Sequence, residues 1–293
     1  MDFEEYQANA AKTDDLPDES ALLVAFLGIG GEAGSLLTEY KKRLRDGSAH
    51  ERFSAAVTEE LGDILWYVST VASRLHLDLS EIAITNLAKT ADRWGDPDAD
   101  DLAGLTPLMP DANYPAHERL PRQMRIRFEE ASEGGRKIVR LFDESGSGVG
   151  NHLRDNAYED DGYRYHDAMH LAHVALLGWS PVFRKLLQKK RKSNKMIDEI
   201  EDGGRAVVIE EAVVAFVYDY AKNHAFLDGV EKLDYNLLRT IKSLTSGLEV
   251  SRWSLKNWET AILDGFKVWR GLTRQRGGIV SYNLAERSIQ LEV

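Results

Sequence analysis

The chain has 293 residues, 43% hydrophobic and 29% charged, which is typical of a soluble globular protein and gives room for two domains of ~100–200 residues each. It contains no cysteine, which excludes disulfides, thiolate catalysis and cysteine-ligated zinc and fits a reducing cytoplasm. The net charge of −11 comes entirely from residues 1–100, which contain 20 acidic and 9 basic side chains. This segment therefore repels a nucleic-acid backbone unless cations lie between them.

Membrane and export signals are not expected in this sequence. The longest apolar run, residues 21–29, falls short of the ~18 residues of a membrane span. The acidic N-terminus lacks the basic region of a signal peptide. We therefore expect a cytoplasmic protein that does not enter a membrane.

Residues 1–95 have the hydrophobic periodicity of helices and predict an antiparallel helical bundle. Ser20 and Ser80 are placed to cap two of the helices, and Asp46-Gly47 is placed to end one. The predicted helices cover about 3–13, 20–46, 50–75 and 80–94. Residues 96–121 follow with five of the seven prolines and an acidic run, which predicts an inter-domain linker.

Residues 122–293 predict a second helical domain with a small antiparallel β-sheet. Two alternating segments, 123–128 and 136–142, flank Gly134-Gly135 and predict a hairpin. Two further alternating segments, 278–282 and 288–291, are expected to join the same sheet. The helices predicted between them cover roughly 163–177, 180–191, 205–223, 230–246 and 252–274. The expected fold class is therefore mainly α.

Carboxylates on two helices of the first domain form the sharpest pattern. Glu32 and Glu39 lie within ~20° of each other on one helical face, roughly 10 Å apart along the axis. Glu60 and Asp63 share a face at i, i+3 spacing. All four lie among apolar residues, where a carboxylate is costly unless it is paired or binds a metal. The pattern predicts an oxygen-rich site for Mg²⁺, or for Mn²⁺.

Three segments of the first domain, taken in chain order, resemble a known protein family. Residues 28–34 (GIGGEAG), 60–67 (ELGDILWY) and 86–94 (NLAKTADRW), preceded by Tyr6-Gln7, are similar to the conserved blocks of MazG-like nucleoside triphosphate pyrophosphohydrolases. The resemblance covers nearly all of residues 1–94. It implies an all-α catalytic domain in which Mg²⁺ assists water to attack between the α and β phosphates, releasing a nucleoside monophosphate and pyrophosphate.

The resemblance also implies roles for individual residues. Glu32, Glu60 and Asp63 correspond to catalytic metal ligands. Substrate is expected to bind Asn86, Lys89 and Arg93, whose spacing allows one shared helical face; Asn86 would support either the metal or a phosphate oxygen, and Lys89 and Arg93 would neutralise phosphates. MazG-like bundles complete their core by oligomerising, so we expect at least a homodimer.

Ser35 departs from the family pattern, which has a second glutamate at this position. Glu39, one turn further on, is our candidate replacement as a metal ligand, although it could equally be a surface acid. If the site is one acid short, the alternative function is a nucleotide-sensing or nucleic-acid-linked regulatory module with a degraded hydrolase site.

Two features of the second domain leave alternatives open. His166, His170 and His173 share one helical face, and with Glu210 they could bind a metal or be core residues bonded to the backbone. Residues 184–195 carry seven basic side chains, which form either a solvated face or a patch for phosphate or nucleic acid. This half also resembles a segment that follows MazG-like domains, a resemblance that implies no activity.

Overall fold

A computed structural model describes residues 1–17, 19–95 and 109–292. The chain divides into two compact units, Met1–Ala91 and Asp92–Val293. Of the residues assigned to a linker, 96–108 lie outside the described part. Residues 109–121 pack into the second unit, where the buried carboxylate of Asp111 accepts a hydrogen bond from the Leu120 amide at 2.8 Å.

The first unit consists of helices, as its periodicity predicts. Their bounds are α1 Phe3–Ala10 (continued by a 3-10 turn, Ala11–Thr13), α2 Ala21–Asp46, α3 Phe53–Arg74 and α4 Leu79–Trp94, whose last residues belong to the second unit. Helices α2 and α3 pack along much of their length. The predicted stop at Gly47 is confirmed, because this residue ends α2 with a φ of +59°. The predicted cap at Ser80 is wrong: Asp78 accepts from the Glu81 amide.

One side of α2 is apolar and exposed. Large apolar side chains that point away from the rest of the unit are Leu23, Phe26, Leu27, Leu37, Tyr40 and Leu44. The helix, extended to Ala49, contains an 18-residue window of mean hydropathy 1.6, so by length and composition alone it could cross a membrane. The expectation that no segment reaches that length is therefore corrected. Only 11% of this window is buried within the described structure, so most of its apolar surface is exposed.

The second unit is built on one antiparallel sheet. Its strands are β1 Gln123–Glu133, β2 Arg136–Phe142, β3 Gly148–Leu153, β4 Gly277–Asn283 and β5 Ser288–Leu291, in the order β3-β2-β1-β4-β5. The predicted hairpin is confirmed, with left-handed Gly134 and Gly135 joining β1 to β2. The predicted pairing of the two chain segments is also confirmed, since β4 lies beside β1.

Helices cover this sheet and enclose the largest core. Their bounds are α5 Asp167–Leu177, α6 Pro181–Leu186, α7 Lys195–Ile200, α8 Gly204–Lys222, α9 Tyr235–Leu244 and α10 Leu255–Gln275. Every residue of α5 is buried, as expected for a helix that is apolar on all sides. Helix α10 packs against α5 and strands β4 and β5. Three histidines and Asp167 of the α5 segment are therefore carried into the interior.

Candidate functional site

Three carboxylates converge in the first unit. Glu32 on α2 and Glu60 and Asp63 on α3 each offer one oxygen, and the three oxygens lie within 4.8 Å of one another. Glu32 and Glu60 are half-buried, and Asp63 is exposed. The i, i+3 spacing places Glu60 and Asp63 on one face of α3, and the close packing of α2 on α3 brings Glu32 to the same place.

The electrostatics of this group favour a cation. Partial burial, followed by the neighbouring carboxylate of Glu32, raises the pKa of Glu60. Asp63 and Glu59 act in the same direction. The charges repel one another when all are ionised. Among the described residues, none of the three carboxylates forms an ion pair, and such a set of oxygens fits Mg²⁺ or Mn²⁺, which prefer oxygen ligands.

Neighbouring contacts position the helices that carry the acids. A Cβ added to Gly28 would lie 2.4 Å from the ring of Tyr67, so this glycine allows α2 and α3 to approach closely. Gln7 ties α1 to the segment between α3 and α4, because its amide donates to the Leu77 carbonyl at 2.9 Å and accepts from the Leu79 amide at 2.8 Å. These contacts hold the scaffold of the three acids.

Tyr6 is a neighbour of the acids that residue-by-residue reasoning did not assign to the site. Burial, and then the negative charge of Asp63, raise the pKa of Tyr6. Its phenol therefore lies close enough to sense the carboxylate cluster. The sequence signal for this position is the Tyr6-Gln7 pair, which belongs to the MazG-like resemblance.

Glu39 is not brought into the group. Its carboxylate is almost completely buried, and both of its oxygens have partners: Lys42 Nζ donates to Oε1 at 2.5 Å, and His50 Nε2 lies 2.9 Å from Oε2. The hydrogen bond from Lys42, followed by the contact with His50, lowers the pKa of Glu39. The proposed replacement of the missing family glutamate therefore lacks geometric support.

Asn86 and Lys89 lie on the exposed side of α4, as their spacing predicts. They line a shallow depression together with Leu77, Asp78, Glu81, Ile82 and Thr85. Among the described residues, no ion pair or hydrogen bond joins either side chain to the three acids. Both remain accessible to a ligand such as a phosphate.

Arg93 does not share that surface. It is buried in the second unit, where its guanidinium donates to Glu259 Oε1 at 3.1 Å and to the Leu233 carbonyl at 2.9 Å. These contacts do not support the predicted role of Arg93 in binding substrate, because both terminal nitrogens of its guanidinium are bonded within the second unit.

Two of the seven basic side chains in residues 184–195 form ion pairs inside the protein. Arg184 is buried and pairs with Asp111 at 2.9 Å, and Arg191 is buried and pairs with Asp202 at 2.6 Å and with Glu249 at 2.8 Å. Buried guanidinium groups cannot contact a nucleic-acid backbone. The stretch therefore presents fewer free cations than its composition indicates.

Comparison with known proteins identifies the second half of the chain. A family model of the MazG C-terminal domain matches residues 106–293, a range that does not include the three acids. The Gene 37 protein of Mycobacterium phage L5 is 38% identical over 69 residues, which are 23% of this chain and 60% of that protein. The chain thus matches somewhat less than two thirds of this relative. No solved structure matches significantly.

Proposed function

Because this chain belongs to the family of the MazG C-terminal domain, we propose that it acts on nucleotides. Its first unit hydrolyses a (deoxy)nucleoside triphosphate to the monophosphate and pyrophosphate with Mg²⁺. The observation that carries the proposal is the convergence of Glu32, Glu60 and Asp63 from two helices. The resemblance of residues 1–94 to MazG-like pyrophosphohydrolases supports the same activity.

The reaction is a substitution at the α phosphorus. The oxygen of water bonds to that phosphorus, and the bond from it to the oxygen shared with the β phosphorus breaks. Pyrophosphate leaves with that oxygen, and a proton of the water is released. Glu32, Glu60 and Asp63 would hold Mg²⁺, with Mn²⁺ as a substitute. When bound, the ion supplies charge neutralisation for the triphosphate and polarisation of the reacting phosphate.

Substrate contacts are assigned to α4. Lys89 is exposed, and among the described residues it makes no ion pair, so its ammonium group is available to a phosphate. Asn86 lies three residues away on the same face and can donate a hydrogen bond from its amide. Arg93 is excluded from this role by its contact with Glu259.

The first unit is proposed to work as a homo-oligomer in the cytoplasm. Its few fully buried apolar residues are mostly alanines, whereas Leu37 and Leu44 of α2 are each 70% exposed. A continuous apolar face of this kind is typical of a protein interface. A second copy of the chain is the partner expected for it.

A direct assay tests the activity. The full chain is incubated with each of the eight common ribo- and deoxyribonucleoside triphosphates and Mg²⁺, and the products are separated chromatographically. We expect monophosphate and pyrophosphate in equal amounts. Glu60→Gln should abolish turnover, whereas the matched control Glu59→Gln, one residue away and exposed, should retain most of it. Release of nucleoside diphosphate and phosphate would contradict the assignment.

A second function has one observation in its favour. Position 35 is a serine and Glu39 is bound to Lys42 and His50, so the site contains three acids where the family pattern has four. A site short of one ligand charge could bind a nucleotide without hydrolysing it, which would make the chain a nucleotide sensor. Metal-dependent nucleotide binding with no pyrophosphate release by the parent chain would favour this function.

A further inference from the structure

The interior of the second unit contains a cluster of imidazoles and carboxylates that the proposed hydrolysis does not use. His170 and His173 lie on α5, and Glu210 lies on the facing helix α8; all three are buried. Each offers one ligand atom, and these atoms lie within 4.8 Å of one another. Polar groups of this kind are costly in a core unless something satisfies them.

The distances within the cluster fit ligands around one ion. Glu210 Oε1 lies 2.9 Å from His170 Nδ1 and 3.1 Å from His173 Nδ1. Ligands about 2.1 Å from one metal ion are separated by about 3.0–3.4 Å, for angles between a right angle and the tetrahedral angle. Each of the two nitrogens therefore lies at nearly this spacing from the Glu210 oxygen, and the ligand atoms of the two histidines lie within 4.8 Å of each other.

The other atoms of the cluster have the supporting contacts of a metal site. Glu210 Oε2 accepts from Ser180 Oγ at 3.0 Å and from the Val182 amide at 2.9 Å, which leaves Oε1 directed at the histidines. On the far side of His170, Nε2 lies 3.4 Å from Glu211 Oε2. A carboxylate behind a histidine that binds metal through its other nitrogen is a recurring arrangement.

A buried ion pair is the competing explanation. Burial lowers the pKa of His170, but Glu210 and Glu211 outweigh this effect and raise the pKa to about 10. A protonated imidazole would donate two hydrogen bonds. Although the side chain is completely buried, neither nitrogen of His170 makes a hydrogen bond of acceptable geometry to another described residue. The ion pair thus leaves both nitrogens unsatisfied, whereas an ion in front of Nδ1 would satisfy one.

We propose that His170, His173 and Glu210 bind one divalent transition-metal ion such as Zn²⁺ inside the second unit, with Glu211 orienting His170. Two imidazoles and one carboxylate suit transition metals better than Mg²⁺. This site is distinct from the three acids of the first unit in position and in ligand chemistry. Because it joins α5 to α8 in the core, the bound ion stabilises the fold of the second unit.

The test uses the full chain with Glu60→Gln, which disables the acidic site. After treatment with a chelator and removal of the chelator, the protein is titrated with Co²⁺ alone and followed by visible absorption. We expect one equivalent to bind with the intense visible bands of four-coordinate Co²⁺, and Zn²⁺ to displace it. Co²⁺ and Zn²⁺ should each raise the Tm. No Co²⁺ bands and a Tm unaffected by either metal would overturn the proposal.

Substitutions of the proposed ligands test which residues bind the ion. Glu210→Gln and His173→Asn should lower the Co²⁺ affinity at least 100-fold, with folding checked by circular dichroism. Should either variant fail to fold, Glu211→Gln decides, because Glu211 is 43% exposed and is not itself a ligand. It should weaken Co²⁺ binding 10- to 100-fold. The control is Asp219→Asn, an exposed acid on the same helix. Equal Co²⁺ affinity in the parent and Glu211→Gln would refute the assigned arrangement.

Discussion

The guanidinium of Arg93 donates to the buried carboxylate of Glu259 at 3.1 Å, across 166 residues of sequence. The two side chains are 6% and 1% exposed. Removing one partner of a buried ion pair costs about 3–5 kcal/mol when it leaves the other charge uncompensated. After Arg93→Ala, Lys256 Nζ still lies 2.8 Å from the Glu259 carboxylate, so the free energy of unfolding should fall by less than that amount, as measured by chemical denaturation.

Lys256 provides the control for this change, because it contacts the same carboxylate from a more exposed position. Lys256→Ala should cost less than Arg93→Ala, because the Lys256 side chain is 33% exposed and that of Arg93 is 6% exposed. Nucleotide affinity, measured on folded protein, should be the same in Arg93→Ala and the parent. A loss of nucleotide affinity at unchanged stability would show that Arg93 binds substrate.

Glu39 and Ser35 can be tested as a pair. Because Glu39 is bound to Lys42 and His50, Glu39→Gln should leave Mg²⁺ affinity and turnover nearly unchanged. Ser35 lies one turn from Glu32 on α2, so Ser35→Glu adds a fourth carboxylate and should tighten Mg²⁺ binding about tenfold. The measurement is activity against Mg²⁺ concentration. Damage by Glu39→Gln comparable to that by Glu60→Gln would restore Glu39 as a ligand.

Glu60 should affect stability and activity in opposite directions. Its pKa is raised in the folded chain, so its ionised form is less favourable there than in the unfolded chain. This destabilisation is present above the folded pKa and disappears as the pH falls below the ordinary carboxyl value. Without metal, Glu60→Gln should therefore raise the Tm at pH 7 and remove the stabilisation given by Mg²⁺.

The control for that measurement is Glu51→Gln, an exposed acid before α3. Its Tm should match that of the parent with and without Mg²⁺. A lower Tm for metal-free Glu60→Gln would mean that the carboxylate is held by favourable contacts and not by repulsion among the acids.

Lys89 should contribute to the affinity for nucleotide and not to the affinity for Mg²⁺. A charge-assisted hydrogen bond to a phosphate contributes about 1.5–3 kcal/mol, so Lys89→Ala should weaken nucleotide binding at least tenfold. Mg²⁺ affinity in the absence of nucleotide should not change. Lys41→Ala, an exposed lysine on α2, serves as the control. Equal nucleotide affinity in the parent and Lys89→Ala would remove Lys89 from the site.

Local patterns predicted most of the architecture, because local interactions form it. Gly134-Gly135 specified the hairpin, and the apolar period between Ser20 and Gly47 specified α2. Strand β3 was missed because its two glycines, Gly148 and Gly150, weaken the strand pattern.

The candidate site was predictable only in part. The convergence of Glu32 with Glu60 and Asp63 follows from helical faces together with the family resemblance. Helical spacing could not reveal that His50, eleven residues beyond Glu39, binds that carboxylate, or that Arg93 reaches Glu259. Such contacts depend on the packing of distant segments, which no local pattern encodes.

The exposed apolar face of α2 leads to different expectations for an oligomer and for a membrane protein. Leu37 and Leu44 are seven residues apart, so they lie within ~20° on one helical face, while Glu32 lies roughly 120–140° away around the helix. A membrane span would surround α2 with lipid and bring Glu32 into the apolar phase at high cost. A second copy of the chain can cover the apolar face and leave the acids in water. We therefore expect a homodimer or larger assembly by light scattering, and no flotation with liposomes.

Substitution of that face should break the assembly. Burying a leucine contributes about 1.5–3 kcal/mol, so losing two per protomer should weaken association more than 100-fold. Leu37→Glu combined with Leu44→Glu should therefore give monomers at micromolar concentration, whereas Glu51→Lys, outside α2, should not. A monomeric parent chain, or an assembly that survives both glutamates, would show that other residues form the interface. Liposome binding that these glutamates abolish would instead identify the face as a membrane contact.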